Sequence, residues 1–197
     1  LQLDDGGGKD QDFNDLQVRV SSRLTASDAR ANAMARLQTG SADALLDLTG
    51  IPASGARLTV SITADCANSN RLGFVKVDID PITGVHSVAG IAAANSDAFR
   101  SALVNNLINP GDNPIQVSGQ TTLPTLTWEL TAAAAGIYAP VLIGPNGQVF
   151  SYGSTTAADG QQHVKLLGSN SFGFEDLLSS QHSDWDFNDV RVQVALS

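Results

Sequence analysis

The sequence predicts a mainly β fold: an antiparallel β-sandwich with one or two short helices, stabilised by calcium. Three observations predict it. About ten short segments alternate apolar and polar residues or run as brief apolar stretches, with turn signals every ~8–12 residues. Only two stretches carry a helical pattern. An acidic six-residue motif stands near each end of the chain, and each copy runs into an alternating strand.

Taken in order, residues 1–24 read as an acidic turn followed by a strand. Residues 26–37 read as a helix, with Thr25 or Ser27 as N-cap and Gly40 past its end. Residues 44–48 form a short strand, and Ile51-Pro52-Ala53-Ser54-Gly55 a turn. Residues 58–63 alternate with period two and predict a strand; residues 72–79 predict another. Asp80-Pro81-Ile82-Thr83-Gly84 turns the chain into a strand over 85–91. Residues 96–108 read as a helix capped by Asn95 or Ser96. Phe99, Leu103 and Leu107 fall on one stripe of it, and Asn109-Pro110-Gly111 stops it. Further strands are predicted at 115–119, 126–131, 139–143, 148–152, 163–167, 172–174 and 190–196. Gly144-Pro145-Asn146-Gly147 makes a hairpin turn between two of them.

A length of 197 residues suits a single β-sandwich domain over 1–197, with 1–24 as a closing strand or a split segment. Hydrophobic content of 42% and 18 Gly fit a globular, turn-rich chain long enough to bury a core. No apolar run approaches the ~20 residues that cross a bilayer, so no membrane insertion is expected. The chain opens inside a motif, as an excised fragment would, so the absence of a targeting segment says nothing about where the parent protein goes. Cys66 is the only cysteine and makes no intrachain disulfide, which leaves metal as the usual staple of a secreted domain.

The net charge of −9 is unevenly placed. Residues 4–15 hold five Asp and one Lys, residues 175–189 four Asp and one Glu, and ten acids balance ten bases in the rest. All the excess negative charge therefore sits in the two motif regions, where like charges repel unless something neutralises them. An acidic chain without a basic patch argues against a nucleic-acid partner.

The two copies read Asp10-Gln11-Asp12-Phe13-Asn14-Asp15 and Asp184-Trp185-Asp186-Phe187-Asn188-Asp189. Each is preceded by an acidic pair, Asp4-Asp5 or Glu175-Asp176. Side chains at positions 1, 3 and 5 of such a loop converge on one ion, as the early ligands of an EF-hand do. Here these are Asp10, Asp12 and Asn14 in one copy and Asp184, Asp186 and Asn188 in the other. With no Gly at position 6 and no Glu at position 12, neither copy is an EF-hand. Asp15 and Asp189 either ligate the ion or cap the loop through backbone N–H groups. Glu175 and Asp176 complete the second site from the preceding strand, and Asp4 and Asp5 the first, across Gly6-Gly7-Gly8. Phe13 and Phe187, between ligands, are expected to plug into the core. Asp78-Ile79-Asp80 is a weaker ion site or a turn cap.

An all-oxygen, multi-carboxylate set without phosphate favours Ca2+ over Mg2+. Zinc wants His and Cys, and His86, His163 and His182 are isolated. No nucleophile, metalloprotease or phosphate-loop motif is present, so no enzyme and no catalytic residue is expected.

Tyr138-Ala139-Pro140-Val141-Leu142-Ile143, His163-Val164-Lys165-Leu166-Leu167-Gly168, Phe172-Gly173-Phe174-Glu175-Asp176-Leu177 and Asp184 to Asp189 together resemble the bacterial domain-of-unknown-function family numbered four-one-one-four. That family occurs in large secreted and surface proteins, many of them calcium-dependent RTX adhesins. The resemblance covers residues 120–196 directly. Leu72-Gly73-Phe74-Val75-Lys76-Val77-Asp78 with Thr83-Gly84 looks like its upstream part, which gives a family-like core over 55–196. It implies an extracellular, calcium-bound module of an adhesin, secreted or on the cell surface. Such a module binds a glycan or peptide on a host or neighbouring cell, or positions adjacent domains of the larger protein. The alternative is a structural spacer with no ligand of its own. Trp185, at a spacer position where side chains point outward, is the candidate ligand contact; Gln11 stands there in the first copy. Trp128 and Tyr152, on strands, are expected in the core.

Overall fold

A computed structural model describes residues 2–3, 16–17, 44–93, 97–111, 113–152 and 156–196. The first acidic motif, with Asp4, Asp5, Asp10, Asp12, Asn14 and Asp15, lies outside the described residues, as does the helix predicted at 26–37. Of the N-terminal region, Gln2–Leu3 (β1) pairs antiparallel with Leu16–Gln17 (β2).

The fold is mainly β, antiparallel, with one short α-helix among the described residues. Its spine is a 24-residue strand, Ala56–Ile79 (β4). The sequence predicts two strands here, separated by Ala64 to Arg71; the chain instead stays extended throughout. The polar residues in the middle find partners outside β4, as described below. A register shift absorbs the mismatch: Cys66 pairs with Gly119 of Ile115–Thr122 (β7), and the next pair is Asn70 with Val117.

Both edges of β4 are occupied. Along one edge, residues 58–64 pair with Val190–Leu196 (β13) and residues 71–77 with Ile137–Ile143 (β9). Along the other run Leu126–Leu130 (β8), then β7, then His86–Val88 (β5). Leu46–Asp47 (β3) and Val149–Phe150 (β10) pair with β9. Val164–Gly168 (β11) and Ser171–Phe174 (β12) extend the sheet beyond β13. The strand predicted over 85–91 is broken: β5 and Ile91–Ala92 (β6) form a tight hairpin. The left-handed conformations of Ala89 and Gly90, at φ 49° and 79°, make its turn.

Period-two alternation decides what each face of β4 meets. Leu58, Val60, Ile62, Ala64, Leu72 and Phe74 face the main core, with Phe150 of β10, Phe172 and Phe174 of β12, and Val190, Val192 and Val194 of β13. The sheet branches carrying β9–β10 and β11–β13 thus close over one apolar interior, in the manner of a sandwich. Val75 and Val77 face the opposite way, into a second cluster under Asp97–Asn105 (α1), whose Phe99, Ala102 and Leu103 are buried there. Leu72 to Val75 are buried on both faces because this half of β4 is covered on both. Trp128 and Tyr152 are buried, in the first and second cluster respectively.

Candidate metal centre

The edge of β4 shared by β13 and β9 has a gap at residues 65–70, where the two partner strands diverge. The loop from Glu175 to Asp189, which joins β12 to β13, fills it. Phe174 pairs with Val190 at the loop's base. The Asp176 N–H donates to Asp189 Oδ2 at 2.7 Å, and the Asp65 N–H to the Asp189 carbonyl at 2.8 Å. Asp176 is held on β4 by three more bonds. Its Oδ2 accepts from the Asn68 N–H and from Asn70 Nδ2, each at 2.8 Å, and its carbonyl accepts from Asn68 Nδ2 at 3.0 Å. These bonds answer the polar groups that sequence alone reads as a strand break.

Inside the loop, a single-turn helix at Ser179–Gln181 ends on His182 in the left-handed region. Trp185 and Phe187 are left-handed too, each at φ 60°. Bulky residues adopt this backbone only when the surroundings compensate, and here the compensation is Glu175. Its Oε2 accepts from the Ser183 hydroxyl at 2.5 Å and the Trp185 N–H at 3.3 Å, and its Oε1 from the Phe187 N–H. Glu175 is fully buried, so these donors fix the loop around one carboxylate. With Trp185 and Phe187 in the left-handed region, Asp184 and Asp186 come together with Glu175. One carboxylate oxygen from each of Glu175, Asp184 and Asp186 lies within 4.8 Å of the other two, an arrangement that can hold a metal ion. It is the one such group among the described residues. The donors are all oxygen, which fits a hard cation.

Asn188 sits beside the cluster. Its N–H donates to Asp186 Oδ1 at 3.0 Å, and its Nδ2 to Asp186 Oδ2. A half-turn of the amide exchanges this donor for an acceptor facing the same space. Asp189 stands between the cluster and Asp176. Burial pushes its carboxyl up to about 7 against the pull of the Asp176 N–H, and the charges of Asp176, Glu175 and Asp184 add to the rise. The structure therefore divides the predicted C-terminal ligands: Glu175, Asp184 and Asp186 converge, Asn188 borders them, and Asp176 turns to β4.

Gly173 explains one letter of the motif. A Cβ there would overlap the Phe187 carbonyl and lie 2.8 Å from Leu167 Cδ1. Without it, the backbone of Phe187 lies flat on the outer face of β12. Phe187 is consequently half-buried, outside both core clusters, with Lys165 Nζ 5.2 Å from its ring centroid; the core position expected for it is not observed. Trp185 is 37% exposed and packs against His163 at 5.0 Å between ring centroids, with Phe150 on from His163 at 4.7 Å. His163 faces an acceptor at each nitrogen, the Glu175 carbonyl at 3.3 Å and Asp159 at 3.1 Å. Asp159 braces the loop from outside. Although desolvation opposes it, the N–H groups of Ser179 and Gln161 and the His163 ring bring its carboxyl down to about 2.

Elsewhere, Asp80 Oδ1 accepts from the N–H groups of Ile82 and Thr83 at 2.9 and 2.7 Å, capping its turn, and Asp78 is exposed on β4. Sequence reasoning missed Ser183, Asn68 and Asn70. The only sign of the two asparagines is their spacing of two within a polar run, which places both on one face if that run is a strand.

Comparison with protein-family models, with curated proteins and with solved structures found no match. The resemblance stated above therefore rests on the quoted motifs alone.

Proposed function

We propose that this chain is a calcium-binding extracellular module of a bacterial surface adhesin, without catalytic activity, that binds a glycan or peptide or positions neighbouring ligand-binding domains. The observation that carries the reading is the convergence of Glu175, Asp184 and Asp186. Three carboxylates at this spacing repel one another, and a divalent cation reverses the sign of the interaction. Calcium suits the set because its coordination takes six to eight oxygens in flexible geometry, and the loop offers carboxylates, an amide and backbone carbonyls.

A polar groove next to the centre supports the binding reading. A groove of about 460 Å³ runs where β13 and β7 flank β4, lined by Thr63, Asp65, Gln120, Thr122, Asn188 and Arg191 among others. Hydroxyl, amide and charged groups so placed match the hydrogen-bonding needs of a sugar or a peptide backbone. The spacer reading is favoured by a different observation: the Trp185 ring packs on His163 of the same domain. Melting curves in millimolar calcium and in chelator test the metal. A site filled at 100 times its Kd adds about 2.7 kcal/mol, and an unchanged midpoint removes the metal reading. A glycan and peptide array probed in calcium tests the ligand: hits that vanish in chelator support binding, and a blank array supports the spacer.

A further inference from the structure

The Glu175–Asp184–Asp186 centre does not account for Asp176. This side chain is fully buried and points to β4, while its neighbour Glu175 points into the loop. Its Oδ2 is satisfied twice, by Asn68 and Asn70, but its Oδ1 is buried with no partner. Asn70 is also fully buried, and its Oδ1 has no partner either. Asn70 Nδ2 donates to both the Asn68 carbonyl and Asp176 Oδ2, so this amide fixes the orientation of the Asp176 carboxylate. Among the described residues, the ion pairs found are Arg57–Glu129, Arg100–Asp97 and His163–Asp159; none reaches Asp176. Asp189 adds a second carboxylate, tied to the Asp176 N–H. A buried carboxylate is normally paired with a cation or bound to a metal, and an orphan acceptor oxygen beside a second carboxylate is where a cation belongs.

We propose that Asp176, through its orphan Oδ1, and Asp189 form a second divalent-cation pocket at the base of the loop, separate from the Glu175–Asp184–Asp186 centre. The first centre shapes the loop; this one ties the loop to β4. Asp189 belongs to the second pocket and lies near enough to the first centre for the charges of Glu175 and Asp184 to act on it. The second pocket also governs the polar groove. Asp65, on its wall, is bonded to the Asp189 carbonyl, and Asn188 is the next residue. All the proposed donors are oxygen, so calcium is the cation expected. The thiol of Cys66 shares this field, pushed up first by burial and then by the Asp176 charge.

Two measurements test the pocket on the whole chain. Crystals grown with terbium, a calcium substitute with strong anomalous scattering, locate ions without any mutation. The expected result is one peak among Glu175, Asp184 and Asp186 and a second within about 2.3–2.6 Å of Asp176 Oδ1 and an Asp189 oxygen. A single peak at the first centre overturns this proposal and leaves the proposed function standing. A single peak at Asp176 upholds the pocket and removes the Glu175–Asp184–Asp186 centre from the proposed function, and no peak at either place overturns both. Calorimetric titration with calcium then compares the parent with Asp176→Asn and Glu175→Gln. Each variant is expected to bind one equivalent fewer than the parent. Asp176→Asn keeps the acceptor for Asn68 and Asn70, so in chelator it should melt no lower than the parent and in calcium lower. Unchanged stoichiometry in Asp176→Asn, or a drop in midpoint equal in both buffers, reduces Asp176 to a structural acceptor and overturns the proposal.

Discussion

Replacing Glu175 with Gln separates a metal ligand from a loop anchor, because the two roles respond differently to calcium. The carboxylate accepts from three donors: the Ser183 hydroxyl and Trp185 N–H at Oε2, and the Phe187 N–H at Oε1. Gln keeps one oxygen. Turned toward Phe187, it leaves its amide N–H2 against Ser183 and Trp185. The Ser183 hydroxyl can reverse and accept; the Trp185 N–H cannot and is left without a partner. One lost charge-assisted bond and one orphaned donor destabilise by about 2 kcal/mol, or roughly 4–8 °C for a domain of this size. Relief of repulsion from Asp184 and Asp186 offsets part of that in chelator. In calcium the variant also loses the increment of the bound ion, about 2.7 kcal/mol at 100 times Kd, so its deficit should roughly double. The assay is thermal unfolding of parent and variant in calcium and in chelator. An equal deficit in the two buffers would refute the reasoning, because Glu175 would then be an anchor alone.

Other perturbations address the rest of the loop. Gly173→Ala should destabilise by about 1–3 kcal/mol, the range for overpacking, and weaken calcium binding, since the new Cβ displaces the Phe187 backbone; unchanged chemical denaturation and calcium affinity would contradict the close approach. Asp189 has its folded carboxyl raised to about 7 from an ordinary 3.8. A raised carboxyl stabilises fully below the lower value and loses that contribution as pH climbs through the upper one. In chelator the melting point should therefore rise as pH falls from 8 toward 5, and Asp189→Asn should flatten the slope. Asp159 acts in the opposite sense: held down at about 2, it contributes above 3.8 and is lost as pH falls toward 2, so Asp159→Asn should reduce the acid sensitivity of unfolding below pH 4. Trp185→Ala should keep its calcium-dependent melting point; if the ring contacts a ligand, array signals fall with it.

Much of the fold is legible because alternation and turn residues act locally. The strand at residues 190–196 appears with the predicted bounds, and the turn at Gly144 to Gly147 closes with Asn146 and Gly147 in left-handed conformations. The helix at 96–108 is shorter, Asp97–Asn105, because Ile108 leaves it to bridge Phe74. The errors come from distant partners. Residues 64–71 read as a break because polar groups in a buried strand need partners, and those partners, Asp176 and β7, lie more than forty residues away. The candidate centre was legible as a cluster, since Asp184, Asp186 and Asn188 sit two apart. The split between Glu175 and Asp176 was not, because adjacent residues at a strand end diverge only once the strands on either side are placed.

Terbium luminescence excited through tryptophan tests the central claim most directly, because Trp185 lies between Asp184 and Asp186 in the chain and reports only an ion held close by. The account predicts sensitised terbium emission that calcium displaces. It also predicts emission that falls in Asp184→Asn/Asp186→Asn, and is dimmed in Trp185→Phe without loss of calcium affinity. Absent emission, or emission that survives the double substitution undiminished, would contradict it.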